Sequence, residues 1–70
     1  MPGQVKNARE ATDLALSFIK KYRFIALPLK AMKDDGSWLV EIDVGPITTK
    51  VAQIKIDAKS GEILEYSIPQ

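Results

Sequence analysis

The chain has 70 residues, with 10 Lys or Arg against 9 Asp or Glu, a net charge of +1, and neither cysteine nor histidine. A chain this short holds one hydrophobic core, and its 46% hydrophobic and 27% charged residues give the balance of a globular domain. The composition excludes disulfides, iron–sulfur ligation and thiolate zinc sites, and the near-neutral charge argues against a dedicated polyanion binder.

A helix is the first predicted element, over residues 7–23. Asn7 and Glu10 have the spacing of an N-cap and its capping box. The apolar residues that follow recur at intervals of three and four, as in an amphipathic helix: Ala8, Ala11, Leu14, Ala15, Phe18, Ile19 and Tyr22. The last predicted turn holds the cations that complement free helix carbonyls: Lys20, Lys21 and Arg23.

After Pro28 the apolar period changes to two, which predicts four strands, at residues 29–34, 37–44, 50–57 and 62–68. Asp35-Gly36 suits a two-residue hairpin turn between the first two. Gly45-Pro46 ends the second strand, and Gly61 suits the turn before the last strand.

Counting outward from Asp35-Gly36 gives the register of the first hairpin. Asp34 is expected opposite Ser37 at the turn, and Leu29 opposite Ile42 at the far end. This register collects the apolar residues of the hairpin on one face: Leu29, Ala31, Trp38, Val40 and Ile42. The later strands add Ala52, Ile54, Ile56, Leu64, Tyr66 and Ile68. The predicted fold class is α+β, with one N-terminal amphipathic helix packed on this face of a four-stranded antiparallel β-meander, as a single domain over residues 1–70.

The opposite face of the sheet has no covering element and is the candidate interaction face. It is predicted to present Lys30, Met32, Leu39, Glu41, Val51 and Gln53, with Ile63 as a further candidate. An apolar cluster rimmed by charge is what a partner protein or a second copy would cover. The alternative interpretation is scattered surface hydrophobics, which are normal in monomeric domains.

No catalytic, cofactor-binding or metal-binding residue is expected. Acyl transfer needs a base beside a hydroxyl, and without histidine or cysteine the choice of base narrows to a lysine or a carboxylate. The predicted helix, turns and strands account for the positions of Ser17, Ser37, Ser60 and Ser67. Asp34, Asp35 and Asp57 lack the alternating oxygen ligands of a calcium loop, so we expect them to serve turns.

Three segments of the chain resemble PepSY domains: Ala8-Arg9-Glu10-Ala11, Trp38 to Val44, and Ile54 to Leu64. The last segment carries most of the likeness, because it has the form apolar-x-apolar-Asp-Ala-x-x-Gly-Glu-apolar-apolar. The strand from Trp38 to Val44 is also similar to one in a gas-vesicle accessory family. The resemblance to PepSY domains implies a cystatin-like helix on an antiparallel sheet and a non-catalytic role.

The leading hypothesis is therefore a non-catalytic binding or modulating module that acts through protein–protein contacts at its open sheet face or a strand edge. Its ligand would be a partner protein or a second copy, and no cofactor is expected. One alternative is a small-ligand carrier that uses the helix–sheet interface. The other is a weak nucleic-acid binder through the basic helix end, with the residues Lys20, Lys21, Tyr22 and Arg23, and Lys30 and Lys33 nearby in sequence. No stretch is long and apolar enough to span a membrane, and if Met1 is the native start we expect the protein in the cytoplasm.

Overall fold

The computed structural model of the protein describes residues 4–69. Residues 1–3 and 70 lie outside the described part, and with them the expectation attached to Met1. The described elements, in chain order, are α1 (Ala8–Ile19), β1 (Leu27–Asp34), β2 (Ser37–Asp43), β3 (Val51–Asp57) and β4 (Ile63–Ser67). The strands form one antiparallel sheet in the order β1-β2-β3-β4, and α1 lies against β1, β2 and β3. The predicted α+β class and the helix-on-meander layout are confirmed.

The N-terminus of α1 is capped as predicted. Asn7 is extended, and its Oδ1 accepts a hydrogen bond from the Glu10 backbone N–H at 2.9 Å. The Glu10 carboxylate returns to the backbone N–H of Lys6 at 2.8 Å, one residue earlier than the standard capping box. These two hydrogen bonds therefore join the segment before α1 to the first turn of the helix.

The helix ends earlier than residue 23. The Lys20 N–H still bonds the carbonyl of Leu16, four residues back, whereas the N–H groups of Lys21 and Tyr22 bond carbonyls three residues back. The chain thus tightens into a turn after Ile19, as helix ends often do. Lys20, Lys21 and Arg23 accordingly follow the helix and are not in its last turn.

The hairpin turn between β1 and β2 confirms the predicted register over most of its length. Asp35 and Gly36 both have positive φ, 46° and 88°, as a two-residue hairpin turn requires. Outward from it, partners match from Asp34 with Ser37 to Lys30 with Glu41.

The predicted pairing of Leu29 with Ile42 is wrong. Pro28 lies opposite Ile42 and Lys30 opposite Glu41, so Leu29 is the extra residue of a β-bulge. Leu29 is exposed and does not join the core face. The strand also begins two residues earlier than predicted, at Leu27, because an edge strand tolerates Pro28.

The core lies between α1 and the face of the sheet that the register predicts. The helix approaches closely because Ala11 and Ala15 are small and fully buried. Beneath them lie the buried side chains of the two central strands, Trp38, Val40, Ile42, Ala52, Ile54 and Ile56. Burying a branched aliphatic side chain of this kind stabilises the fold by about 1.5–3 kcal/mol.

Trp38 ties the segment before the helix to the sheet. Its Nε1–H donates to the carbonyl of Val5 at 3.1 Å, and the Val5 N–H donates to the carbonyl of Ala58 at 2.7 Å. Val5 is itself buried, so the chain enters α1 from a fixed point.

The start of β4 also contains a bulge. Glu65 lies opposite Lys55 and Ile63 opposite Ile56, which leaves Leu64 as the extra residue. Ile63 therefore packs against the core and not on the open face, and Leu64 is exposed and not under the helix. Beyond the bulge the predicted faces hold, since the Tyr66 ring meets that of Phe18 edge-on at 4.8 Å.

The sheet has two distinct ends. At the turn end lie the Asp35-Gly36 turn, the β3–β4 turn (residues 58–61) and Val5. At the loop end lie the α1–β1 connection (residues 20–26) and the β2–β3 loop (residues 44–50). The row of partners Leu27, Asp43 and Val51 joins these two segments at the edge of the sheet.

The β2–β3 loop is held by one carboxylate and one glycine. Asp43 Oδ1 accepts hydrogen bonds from the N–H groups of Gly45 at 2.9 Å and Lys50 at 3.1 Å. A Cβ on Gly45 would overlap the carbonyl oxygen of Thr48, so only glycine fits this turn.

We expect Gly45→Ala to lower the free energy of unfolding by roughly 2–3 kcal/mol, because the loop backbone must move to relieve the overlap. Urea denaturation with an unchanged m-value measures it. Gly36→Ala is the matched control: its Cβ would have no atom within 4 Å, so only the positive φ adds a cost, about 1 kcal/mol. A Gly45→Ala variant as stable as the wild type would contradict this account of the loop.

Candidate functional site

The open face of the sheet, on the side away from α1, carries the six residues predicted for it. The strand register places them together: Lys30, Met32, Leu39, Glu41, Val51 and Gln53. Their role in interaction stays a prediction, but their common location is a property of the fold.

Side chains on the open face run in rows across the strands. In the middle row, Lys30 Nζ lies 3.8 Å from Glu41 Oε1, and Gln53 Nε2 donates to Glu41 Oε2 at 3.3 Å. Glu41 thus holds neighbours from both adjacent strands. The ion pair is open to solvent at Lys30, so it contributes at most about 1 kcal/mol to stability.

The apolar side chains of the open face form two small groups, one on each side of that polar row. Met32 and Leu39 are cross-strand partners toward the turn end. Val51 lies toward the loop end, with Asp43 between it and Leu27. Leu27 also lies on the open face, but the sequence prediction did not include it because Pro28 was taken as the boundary of the first strand. The predicted single cluster is therefore divided.

A shallow depression of about 280 Å³ continues the open face toward β4. Its lining residues are Leu39, Gln53, Lys55, Glu65, Tyr66 and Ser67. Lys55 and Glu65 are cross-strand partners within it, so its floor carries both signs of charge.

Both edges of the sheet carry features that oppose addition of another strand. β1 has Pro28, which lacks an N–H, followed by the bulge at Leu29. β4 is five residues long, contains the bulge at Leu64 and is followed by Pro69. Bulges and prolines at edges interrupt the row of free backbone groups that a new strand would need.

The basic helix end is smaller than the sequence suggests. Lys20 and Lys21 are exposed, but the Arg23 guanidinium donates to the carbonyls of Tyr22 and Pro69, both at 3.2 Å. Lys33 lies at the turn end, with its Nζ 5.9 Å from the centroid of the Trp38 ring. The cations that are near in sequence are thus spread along the sheet, with Lys30 in the middle row of the open face.

Two residues of the loop end were missed by sequence reasoning. Phe24 is fully exposed in the α1–β1 connection, and Ile47 is 93% exposed in the β2–β3 loop. Phe24 also lines a second depression of about 170 Å³, together with Lys20, Lys21, Tyr22 and Arg23. The one sequence signal for their exposure was that neither residue belongs to the apolar periodicity of the helix or of a strand.

The three aspartates weighed as metal ligands lie at turns: Asp34 and Asp35 at the hairpin turn, and Asp57 at the β3–β4 turn. Within residues 4–69, no group of three or more acidic side chains is placed to hold a metal ion. The Ser60 hydroxyl donates to Asp57 Oδ2 at 2.7 Å, and the Gly61 N–H to the Asp57 carbonyl at 2.8 Å. The hydrogen bond from Ser60 is the main reason that the pKa of Asp57 lies below its ordinary value.

Comparisons with known proteins returned nothing similar: no family model, no curated protein and no solved structure matches the chain. In the part of the chain that the structure describes, no helix has the length and apolar character needed to cross a membrane.

We expect Ser60→Ala to raise the pKa of Asp57 toward its ordinary value. Because the folded pKa is depressed, the hydrogen bond stabilises the fold above about pH 4 and loses its effect as the pH falls through the folded pKa. The measurement is an NMR pH titration of the Asp57 carboxylate, with Ser17→Ala on the helix surface as control. An Asp57 pKa that Ser60→Ala leaves unchanged would rule out this cause.

Proposed function

We propose that this domain is a non-catalytic binding module whose open sheet face recognises another protein surface. One observation carries the proposal: Met32, Leu39 and Val51 stand on that face beside charges of both signs, with Met32 42% and Val51 38% exposed. Apolar residues rimmed by polar ones are typical of protein interfaces.

The charges of the open face favour a protein partner over a polyanion. Lys30 and Lys55 alternate with Glu41, Asp43 and Glu65 across the strands. A nucleic acid would meet carboxylates wherever it met lysines, which opposes binding through phosphates. A protein surface that also carries both signs can complement such a pattern.

The face is a better candidate than either edge of the sheet. Pro28 and the bulges at Leu29 and Leu64 hinder pairing with an added strand. The face needs no backbone pairing, because its contacts are made by side chains. We therefore assign recognition to side chains.

A non-catalytic role is supported by the hydroxyl chemistry. The Ser37 hydroxyl donates to the Asp34 carbonyl at 2.9 Å, and the Ser60 hydroxyl donates to Asp57. Both hydroxyls thus take part in the hydrogen bonding of turns, and the chain contains no histidine or cysteine. The resemblance to PepSY domains agrees with this role and is part of the proposal.

The alternative of a ligand carrier between helix and sheet receives less support. Side chains with no solvent exposure from both layers meet there, among them Ala15, Ile19, Val40 and Ile54. A drug-sized ligand needs a pocket of roughly 300 Å³, and opening one would remove this packing.

If the partner is a second copy, we expect Met32→Lys to weaken the dimer at least about tenfold, because it places a charge in the apolar contact. Sedimentation equilibrium across a wide concentration range measures the dissociation constant. Leu64→Lys is the matched control, since Leu64 is similarly exposed, at 50%, but lies on the bulge of β4. A dimer that both variants weaken equally would contradict a role for the open face.

If the partner is another protein, a photoreactive side chain at Gln53 on the open face should cross-link it in an extract. The same group at Ser17, exposed on the helix, should not. Equal products from both positions, or products from Ser17 alone, would contradict the proposal.

A further inference from the structure

The loop end of the fold brings together the two most exposed large apolar side chains in residues 4–69. Phe24 is fully exposed, and Ile47 is 93% exposed. One lies three residues before Leu27 and the other four residues before Val51, and these two strand starts flank Asp43 in one row. The two side chains therefore project from neighbouring loops at the same end of the sheet.

The same end carries most of its charge as cations. Lys20 and Lys21 are exposed beside Phe24, and Arg23 lies between them and the end of β4. Asp43 is the acidic residue at this end within residues 4–69, and its Oδ1 already accepts two loop N–H groups. By contrast, the turn end carries the carboxylates Asp34, Asp35, Asp57 and Glu62 beside the cations Lys6, Lys33 and Lys59, so the two signs nearly balance there.

We propose that the loop end docks on the surface of a bilayer that contains anionic lipids. Lys20 and Lys21 would lie at the headgroup phosphates, where each lysine near an anionic surface strengthens binding about fivefold. Phe24 and Ile47 would enter the boundary between headgroups and acyl chains, as apolar side chains of interfacial proteins do.

The shape and chemistry of this end favour a lipid surface over a nucleic acid. An aromatic ring can stack on a base, but Ile47 is aliphatic and offers no stacking platform. The Arg23 guanidinium donates to two backbone carbonyls of the chain itself, which leaves fewer of its N–H groups to bind a phosphate. Two apolar side chains on separate loops suit a soft surface that both can enter.

Docking in this way leaves accessible the part of the open face that lies toward the turn end. The strands run from the loop end to the turn end, so a membrane at the loop end lies across the strand ends and not against the face. Met32 and Leu39 lie on that face toward the turn end, and so away from the bilayer. Lipid and protein could be bound together.

The first test measures co-sedimentation of the full 70-residue chain with vesicles of phosphatidylcholine alone or mixed with phosphatidylserine. We expect binding to the mixed vesicles, weakened by salt, and little binding to phosphatidylcholine. Lys20→Gln with Lys21→Gln should lower the affinity roughly 25-fold, about fivefold for each lysine. Lys6→Gln with Lys59→Gln, at the turn end, should change it less than about twofold.

The second test separates insertion from charge. Phe24→Ser with Ile47→Ser should lower the affinity for mixed vesicles more than about tenfold, because two apolar side chains no longer leave water. The melting temperature should not change, since neither side chain is buried. Leu64→Ser is the control, because it also removes an exposed apolar side chain but one outside the loop end, and it should leave binding unchanged.

The results that overturn the proposal are equally definite. They are no binding to mixed vesicles, equal binding to both kinds, or binding insensitive to Phe24→Ser with Ile47→Ser. A single-stranded oligothymidine is titrated at the same low salt. If it binds more tightly than the vesicles and loses affinity with Lys20→Gln and Lys21→Gln but not with Ile47→Ser, the site is a nucleic-acid site and the lipid proposal fails.

Discussion

The left-handed turn at Asp35-Gly36 sets the register on which the other features depend. Because side chains alternate along a strand, a slip of one residue would move Trp38 and Val40 to the open face and Leu39 to the core. The turn needs positive φ at both central residues, and Gly36 meets this without strain. The seven residue pairs between β2 and β3 then carry the same register to the rest of the sheet.

The sequence predicts this part of the fold well because its signals are local. A turn dipeptide and a period-two pattern are both visible within about ten residues, and they place Lys30 opposite Glu41 and Lys33 opposite Trp38. The bulges at Leu29 and Leu64 have no such signal, since leucine continues the apolar pattern through each irregularity. For that reason the residues assigned to the wrong face of the sheet, Ile63 included, lie at the two bulges.

The candidate sites divide in the same way. The six residues of the open face follow from the register, so their common location could be predicted. The division of the apolar residues on that face into two groups could not be predicted, because it depends on how the rows of side chains align across three strands. The loop end was equally hidden from sequence, since Phe24 and Ile47 are 23 positions apart and only the meander brings their loops to one end. Long-range placement of this kind leaves no local pattern.

Trp38 is the one tryptophan in the chain, and its environment makes it a selective optical reporter. Its indole is buried under the segment before the helix, is bonded to the Val5 carbonyl and lies beside the Lys33 ammonium, all at the turn end. Its fluorescence therefore responds to unfolding and to release of Val5 from the sheet. A lipid at the loop end should leave the emission unchanged, so any change on binding would report a conformational response transmitted along the strands.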